Sequence, residues 1–365
     1  MRTARFIACR FLFPGSHLQI YKAMLISDFD YELPVELIAQ EPLAEREASR
    51  MLVVDRQNGS FKDDMFTSLP GFLKAGDLLV INNTRVFPAR LRGQLSTGAN
   101  VEIFLIRKHV DTWEALARPA RRLKPGKTVN FSDRLSAEVV EKLPDGRVGV
   151  RFVSAEDSDD LIDELGRTPL PPYIKRDAGL LDRDRERYQT VFAKTRGAIA
   201  APTAGLHFTP AILDEIKAKG VAVVEITLHV GYGTFEPVRV DDAANHAVSS
   251  EDFNIDADAA SILESARLDG RRIVAVGTTT TRALETCITR HERFVAGRQT
   301  ADLTIKPGYS FKAVGALLTN FHLPKSSLLL LVSTFGGHDL IMGAYRHAVA
   351  ERYRFYSYGD CMFIV

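Results

Sequence analysis

The stretch RRIVAVGTTTTRALETCITRH, residues 271–291, decides the fold class of this chain. Its first part is a short apolar run typical of a buried strand. Gly277 allows a tight turn, and TTTTRALETCITRH follows as a helix. The stretch therefore predicts a strand, a turn and a helix in succession, which is the repeating unit of an α/β domain.

The preceding segments repeat this alternation. Thr209 and Pro210 are a typical capping residue and first residue of a helix, Gly220 can end that helix, and residues 221–230 form the next strand. Apolar residues at helical spacing between 259 and 266 predict another helix, closed by Gly270. Together with the apolar runs at 51–54 and 77–81, these patterns predict a large α/β domain.

Residues 86–154 have a different character. Short β-type runs such as VEIFLIRKH and RVGVRFV alternate with turn sequences, and no stretch predicts a long helix. Regularly spaced short strands favour a small β-barrel. The predicted fold class is therefore α/β, a large α/β domain (24–85 together with 155–365) with an inserted small β-barrel domain (86–154).

Composition excludes several classes of protein. The 365 residues are 45% hydrophobic and 25% charged, with a net charge of only +1, so any contact with nucleic acid has to come from local clusters. Cys9, Cys287 and Cys361 are far apart, which argues against a disulfide framework and favours a reducing compartment. The apolar runs are too short to span a membrane. Residues 1–23 match a signal peptide poorly, and we expect a non-native or disordered extension ahead of a start at Met24.

Two strand–turn–helix units are candidate binding sites, because the N–H groups at a helix start point toward an anion or a nucleotide. In GTTTTR, Thr279 and its neighbours offer hydroxyls and Arg282 a fixed positive charge. A capped helix with a surface arginine is an equally good interpretation. In APTAGLHFT, Thr203 and Gly205 form a bend of small residues and His207 follows, although a lone histidine is more often structural.

Two further segments carry polar residues next to apolar runs. In HVGYGTF, His229 ends a strand, and Gly231 and Gly233 could let a sugar or a base lie on the backbone, unless they form a simple bulge. TNFHLPKS places Asn320, His322 and Lys325 before an apolar helix, where ordinary capping is the alternative. The histidines lack the spacing of a zinc site, so no metal is expected.

The densest basic run lies in the predicted barrel. It is RPARRLKPGK, and its candidate phosphate-binding residues are Arg118, Arg121, Arg122 and Lys124. A solvated charged loop is the alternative explanation.

Taken in order, these segments resemble the S-adenosylmethionine:tRNA ribosyltransferase-isomerase family of queuosine biosynthesis. The resemblance runs from Met24 to the C-terminus, and the most specific of the stretches that carry it are SDFDYELPVELIAQEP, NNTRVFPARLRG, WEALARPARRLKPG, APTAGLHFT, HVGYGTFEPV, GTTTTRALE, LLTNFHLPKSSLLLLVS and YRFYSYGDCM. It implies an α/β domain interrupted by a small β-barrel. It also implies transfer and isomerisation of the ribosyl group of S-adenosylmethionine onto 7-aminomethyl-7-deazaguanine at the tRNA wobble position. Epoxyqueuosine-tRNA, adenine and methionine are the implied products.

The sequence departs from the family pattern at three places. Ser249 stands in HAVSSE where the family usually has a second histidine after His246, which puts activity in doubt if that histidine is essential. GTTTTR replaces a GTTSVR-like motif, and Lys306 stands where an aromatic residue is common.

The implied reaction assigns hypothetical roles to the candidate residues. His207 or His229 is the base, Asp360 holds the cationic amine or the deazaguanine, and Arg282 meets the methionine carboxylate. Asn320 and His322 read or protonate the adenine. The remaining candidates for substrate binding are Thr203, Gly205, Gly231, Gly233, Thr279 and Lys325, and those for tRNA binding are Arg85, Arg118, Arg121, Arg122 and Lys124.

The resemblance implies tRNA carrying 7-aminomethyl-7-deazaguanine and S-adenosylmethionine as partners, with the latter consumed as a substrate. No other cofactor, no membrane and no obligate protein partner are expected, and the predicted location is the cytoplasm. The competing hypotheses are a methyltransferase that uses the same donor and a non-catalytic RNA-binding protein. The Gly-rich loop and acidic residue expected of the former are not found near the start of the α/β domain.

Overall fold

The structure is a computed structural model that describes residues 24–176, 181–231, 233 and 238–365. The strands in this part of the chain are β1 (Arg50–Asp55), β2 (Ser60–Met65), β3 (Leu78–Asn82), β4 (Thr84–Val86), β5 (Arg90–Leu95), β6 (Asn100–Lys108), β7 (Trp113–Arg118), β8 (Thr128–Asn130), β9 (Ser136–Lys142), β10 (Val148–Val153), β11 (Thr195–Ala198), β12 (Ala222–Leu228), β13 (Glu251–Ile255), β14 (Ile273–Val276), β15 (Gly297–Ala301), β16 (Val314–Asn320) and β17 (Cys361–Ile364). The α-helices are α1 (Leu69–Phe72), α2 (Ser158–Leu165), α3 (Leu181–Arg187), α4 (Pro210–Ala218), α5 (Ala257–Leu268), α6 (Thr278–His291), α7 (Ser327–Gly336) and α8 (His338–Ala350).

A large mixed sheet forms the centre of the α/β domain. Within the described residues its nine strands follow the order β15-β13-β12-β3-β14-β16-β17-β1-β2. The four central strands, from β12 to β16, are parallel to one another, whereas β13 runs antiparallel to β12 and β17 runs antiparallel to β16. The carboxyl ends of the central strands therefore meet at one edge of the sheet, where α/β proteins usually bind ligands.

Helices cover both faces of this sheet, so the central strands are buried on both sides. In β3, Leu78 and Val80 pack into one hydrophobic cluster and Leu79 and Ile81 into the other. Helices α5 to α8 contribute to the first cluster, and α1 and α4 to the second. This is why β3 is a continuous apolar run and does not alternate.

The turn and capping residues identified in the sequence lie where the helices begin. Gly277, with φ +93°, precedes α6, and α6 begins at Thr278 as predicted. The hydroxyl of Thr209 accepts a hydrogen bond from the N–H of Ile212 at the start of α4, as a capping threonine does. The predicted strand, turn and helix of residues 271–291 are confirmed.

The second body is a closed barrel of six strands in the order β10-β7-β6-β5-β8-β9. Its interior holds apolar side chains such as Leu91, Ile103 and Trp113. The main chains of Arg90 and Arg167 exchange two hydrogen bonds where the chain enters and leaves the barrel. The predicted fold class, an α/β domain with an inserted small β-barrel, is confirmed, and the predicted domain limits stay predictions.

Two further expectations concern the first 23 residues and membrane-spanning helices. Residues 1–23, expected to be an extension, lie outside the described residues. In the part of the chain that the structure describes, no single helix is long and apolar enough to cross a membrane; α7 and α8 reach that length only as a pair bent by 117°.

Candidate functional site

A pocket of about 570 Å³ lies at the carboxyl ends of the central strands. We call it the central pocket, and its lining consists of Tyr173, Tyr188, Ala200, Ala201, Pro202, Thr203, Ala204, Val230, Gly277, Thr278, Thr279, Thr319, Asn320, Phe321, His322, Leu328, Tyr356 and Ser357. It brings together the APTAG bend, the GTT turn after β14 and the TNFH segment at the end of β16. These segments are far apart in sequence, and parallel strand order makes them neighbours.

Asn320 and His322 present polar groups to the central pocket. The Asn320 side-chain N–H donates to the carbonyl of Tyr356 at 3.0 Å, and its Oδ1 is buried without a hydrogen-bond partner among the described residues. His322 Nε2 lies 2.9 Å from the hydroxyl of Thr319, and burial lowers the pKa of this histidine to about 3. The imidazole is therefore neutral at neutral pH and can donate or accept hydrogen bonds.

The APTAG bend continues as a single 3-10 turn over Thr203–His207. Thr203 lines the central pocket, whereas Gly205 does not. A Cβ on Gly205 would lie 2.7 Å from the Phe192 ring, so this glycine permits close packing of the turn against a neighbouring aromatic. Thr279, in the first turn of α6, lines the central pocket as predicted for a substrate contact.

His207 lies at the other end of that turn, in a smaller pocket of about 280 Å³. We call it the side pocket; it is lined by Pro42, Leu43, Arg46, Ser49, Arg187, Leu206, His207, Ser357, Tyr358 and Gly359. His207 is 4% exposed, and its Nε2 has no hydrogen-bond partner among the described residues. Burial lowers the pKa of His207 to about 4, although the nearby Asn320 amide opposes the shift.

Ser49 holds the ring of His207 in position. Its hydroxyl lies 2.8 Å from Nδ1 and 3.3 Å from the carbonyl of Arg46. A neutral imidazole is the form that a general base needs.

His229 is oriented differently. Its Nδ1 lies 2.8 Å from the hydroxyl of Thr84, and a Cβ on Gly197 would lie 2.5 Å from its ring. The adjacent Val230 lines the central pocket and His229 does not. Burial lowers the pKa of His229. His229 thus lines neither the central nor the side pocket, whereas His207 lines the side pocket.

Arg282 lies in a buried ion pair. Its Nη1 donates to Glu251 at 2.7 Å, and its other guanidinium N–H groups donate to the carbonyls of Ser249, Ala301 and Leu303. It lines a third cavity, behind Thr279, and does not line the central pocket. Binding of a substrate carboxylate by Arg282, as predicted, would require it to exchange Glu251 for the ligand.

The two glycines of HVGYG lie beside this ion pair. The N–H of Gly231 donates to the second oxygen of Glu251 at 3.0 Å. A Cβ on Gly233 would lie 2.5 Å from the Cβ of Ser249, the residue that stands where the family usually has histidine. The absence of a side chain at Gly233 and the small side chain of Ser249 therefore allow the two segments to pack closely.

Asp360 and Lys325 already have protein partners. The Asp360 carboxylate accepts the main-chain N–H groups of Arg50 and Arg354 at 3.0 and 2.8 Å, while burial raises its pKa. Lys325 forms a 2.6 Å ion pair with Asp30 at the surface. Neither residue lines the central or the side pocket, so their predicted contacts with substrate stay predictions.

The predicted tRNA-binding residues are exposed. Arg118 ends β7, and Arg121, Arg122 and Lys124 follow it on the barrel surface, whereas Arg85 lies in β4. Among the described residues no carboxylate forms an ion pair with any of these five side chains, in contrast to Lys108 on the same barrel, which pairs with Asp159. Unpaired exposed cations are available to phosphates.

The sequence did not single out several residues of these pockets. Tyr188 lines the central pocket with a buried hydroxyl that has no hydrogen-bond partner among the described residues. Arg46, Ser49 and Arg187 line the side pocket. The EREASR and DRERYQ stretches that hold them look like exposed charged segments, so their composition gives no signal for a pocket. Within the described residues, no three His, Cys, Asp or Glu side chains are grouped to hold a metal ion.

Comparisons with known proteins cover nearly the whole chain. A family model described as queuosine biosynthesis protein matches residues 26–364. Proteins named S-adenosylmethionine:tRNA ribosyltransferase-isomerase from Geotalea uraniireducens and Desulfitobacterium hafniense are each 48% identical to this chain, over 93% and 94% of it and 100% of their own length. The protein of that name from Geobacter sulfurreducens is 49% identical over 93% of this chain and 100% of its own.

One solved structure is also similar. It is the crystal structure of an S-adenosylmethionine tRNA ribosyltransferase from Thermotoga maritima, with 38% sequence identity and a TM-score of 0.53. The similarity covers 93% of this chain and 100% of that one.

Proposed function

This chain belongs to the queuosine biosynthesis protein family, and from that premise we propose that it acts as an S-adenosylmethionine:tRNA ribosyltransferase-isomerase. Its reaction transfers the ribosyl group of S-adenosylmethionine to 7-aminomethyl-7-deazaguanine at the tRNA wobble position and isomerises it. Epoxyqueuosine-tRNA, adenine and methionine are the products. The observation that carries this proposal is the central pocket, where three distant segments meet around the neutral imidazole of His322.

The chemistry begins at the ribose. The positive sulfur acidifies the adjacent C5′ hydrogens, so a base removes one proton and an ylide forms. The sugar ring then opens and expels adenine, the aminomethyl nitrogen of the tRNA base attacks the sugar, and methionine leaves as the epoxide closes. These steps require a base near C5′, a proton donor for adenine and exclusion of water. They require no metal or redox cofactor, and S-adenosylmethionine is consumed.

His207 is the better candidate for the base. Its low pKa keeps the ring neutral, its Nε2 has no hydrogen-bond partner among the described residues, and its turn joins the two pockets. His229 contacts Thr84 outside the lining of both. We expect His207→Ala to slow adenine release by about 10²- to 10⁴-fold, the usual contribution of a general base, and His229→Ala to have a smaller effect. Adenine release by His207→Ala at the wild-type rate would exclude this role.

The remaining roles follow from position. Asn320 and His322 offer an unpaired oxygen and a neutral imidazole to the adenine in the central pocket, and Thr203 and Thr279 offer hydroxyls. Arg85 and the exposed cations of the barrel bind tRNA phosphates. Because both substrates are those of the cell interior, the cytoplasm is the expected location.

One incubation tests the proposal. The protein is mixed with precursor tRNA and with S-adenosylmethionine labelled either in the ribose or in the methyl group. Ribose label in the tRNA, together with free adenine, is the expected result. Methyl label in the tRNA would identify a methyltransferase, and tRNA binding without transfer of either label would identify a non-catalytic RNA-binding protein. Either of these two outcomes would overturn the proposal.

A further inference from the structure

The side pocket adjoins the central pocket but differs from it in chemistry. Ser357 lines both, and the turn Thr203–His207 places Thr203 in one pocket and His207 in the other. A single extended ligand can therefore occupy both pockets along this turn. The central pocket has aromatic and hydroxyl groups in its wall, whereas two guanidinium groups line the side pocket.

These guanidinium groups are held by main-chain carbonyls. Arg46 donates to the carbonyls of Leu206 and Glu186, and Arg187 donates to those of Leu43 and Ala44 at 2.8 and 3.0 Å. Within the described residues neither side chain forms an ion pair with a carboxylate, unlike the neighbouring Arg183. The main chain thus fixes the orientation of both guanidinium groups.

Two like charges side by side at a half-buried position are unfavourable by themselves. Burial lowers the pKa of Arg46 and the charge of Arg187 lowers it further, while the carboxylate of Glu186 opposes the shift. The Nε of Arg187 is buried without a hydrogen-bond partner among the described residues, and so is the Nε2 of His207 in the same pocket. An anion placed between the arginines would neutralise both charges and accept their free N–H groups.

We propose that Arg46 and Arg187 form an anion subsite that binds the carboxylate of the methionyl group of S-adenosylmethionine. The inference rests on the proposed function and specifies how that substrate lies. The adenosyl group occupies the central pocket and the methionyl group extends along the turn into the side pocket. This placement brings the sulfur-linked C5′ past His207. It also leaves Arg282 in its ion pair with Glu251.

The test compares two ligands that differ only in this carboxylate. The affinities of S-adenosylmethionine and decarboxylated S-adenosylmethionine are measured by calorimetry on the full chain without RNA. Wild-type protein should prefer the carboxylated ligand by about ten- to a hundredfold, as charge-assisted hydrogen bonds imply. Arg46→Gln and Arg187→Gln should reduce that preference to a few-fold at most, mainly by weakening binding of S-adenosylmethionine.

Two further variants make the outcome decisive. Arg183→Gln removes the same charge from an exposed surface pair with Glu41 and should keep the wild-type preference. Arg46→Lys keeps the charge and should retain an intermediate preference, which provides a folded variant if the glutamine changes unfold the protein. Equal affinity of the wild type for both ligands, or an unchanged preference in Arg46→Lys and Arg187→Gln, would overturn the proposal.

RNA binding provides the last distinction. If Arg187→Gln weakens binding of precursor tRNA and leaves the preference between the two ligands unchanged, the anion is an RNA phosphate and the proposal is wrong. The proposed function fails separately, through absence of ribose transfer by the wild-type protein. Loss of ligand preference in the variants while the wild type transfers ribose supports both.

Discussion

Lowering the pH should destabilise the protein through its two buried neutral histidines. His207 and His322 are 4% and 6% exposed, and burial lowers their pKa values from 6.5 to about 4 and about 3. Because the folded pKa lies below the unfolded one, protonation favours the unfolded chain. The stability that each contributes is complete above pH 6.5 and is lost as the pH falls toward the folded pKa.

The magnitude follows from these values. Each pH unit between the folded and unfolded pKa is worth about 1.4 kcal/mol, so acidification from about pH 7.5 to about pH 5 should cost about 2 kcal/mol for each histidine. Carboxylates also make the free energy of unfolding depend on pH, and comparison of a histidine variant with the wild type cancels their contribution. Urea unfolding at both pH values should show that His322→Gln loses about 2 kcal/mol less than the wild type between them.

His291, exposed at the end of α6, supplies the control. His291→Gln should show the wild-type difference in unfolding free energy between the two pH values. The reasoning is refuted if His207→Gln and His322→Gln both keep the full wild-type loss. In that case the two imidazoles would be protonated as easily in the folded protein as in the unfolded chain.

Three other changes test separate parts of the structure. Ser49→Ala removes a hydrogen bond that holds the ring of His207, the proposed base, and should lower the rate of adenine release in single turnovers about tenfold, the equivalent of one lost hydrogen bond. An unchanged rate would show that Ser49 does not position this ring. Glu251→Gln leaves the buried guanidinium of Arg282 without its carboxylate and should reduce the free energy of unfolding, measured by urea titration, by about 3–5 kcal/mol. Asp302→Asn breaks the exposed pair with Arg290 and should cost about 1 kcal/mol or less in the same titration. Arg121→Gln should reduce the slope of log tRNA affinity against log salt concentration by about one, the equivalent of one phosphate contact, without changing the affinity for S-adenosylmethionine. A slope equal to that of the wild type would show that Arg121 does not contact a phosphate.

Local elements could be predicted from the sequence because each depends on neighbouring residues. A capping residue such as Thr209 or a turn glycine such as Gly277 acts within a few residues of itself. The alternation of short strands in residues 86–154 likewise identified a barrel. The order of strands in the large sheet was not predicted, because pairing between distant strands such as β1 and β17 has no local signal.

The candidate site was predicted only where its residues lie in one segment. Asn320 and His322 were found together because both follow β16. The ion pair of Arg282 was missed, since Glu251 lies 31 residues away on another strand. Arg46 and Arg187 were missed for the same reason, because the packing that joins their segments brings residues together across more than a hundred positions.

The paired main chains of Arg90 and Arg167 have a consequence for how such a protein can diversify. This pairing joins β5, the first strand of the barrel, to the segment that follows α2, so hairpins elsewhere on the barrel can lengthen or change sequence without disturbing it. Loop closure costs little extra free energy as a loop grows. The exposed surface of the barrel can therefore vary while the pocket in the α/β domain keeps its spacing.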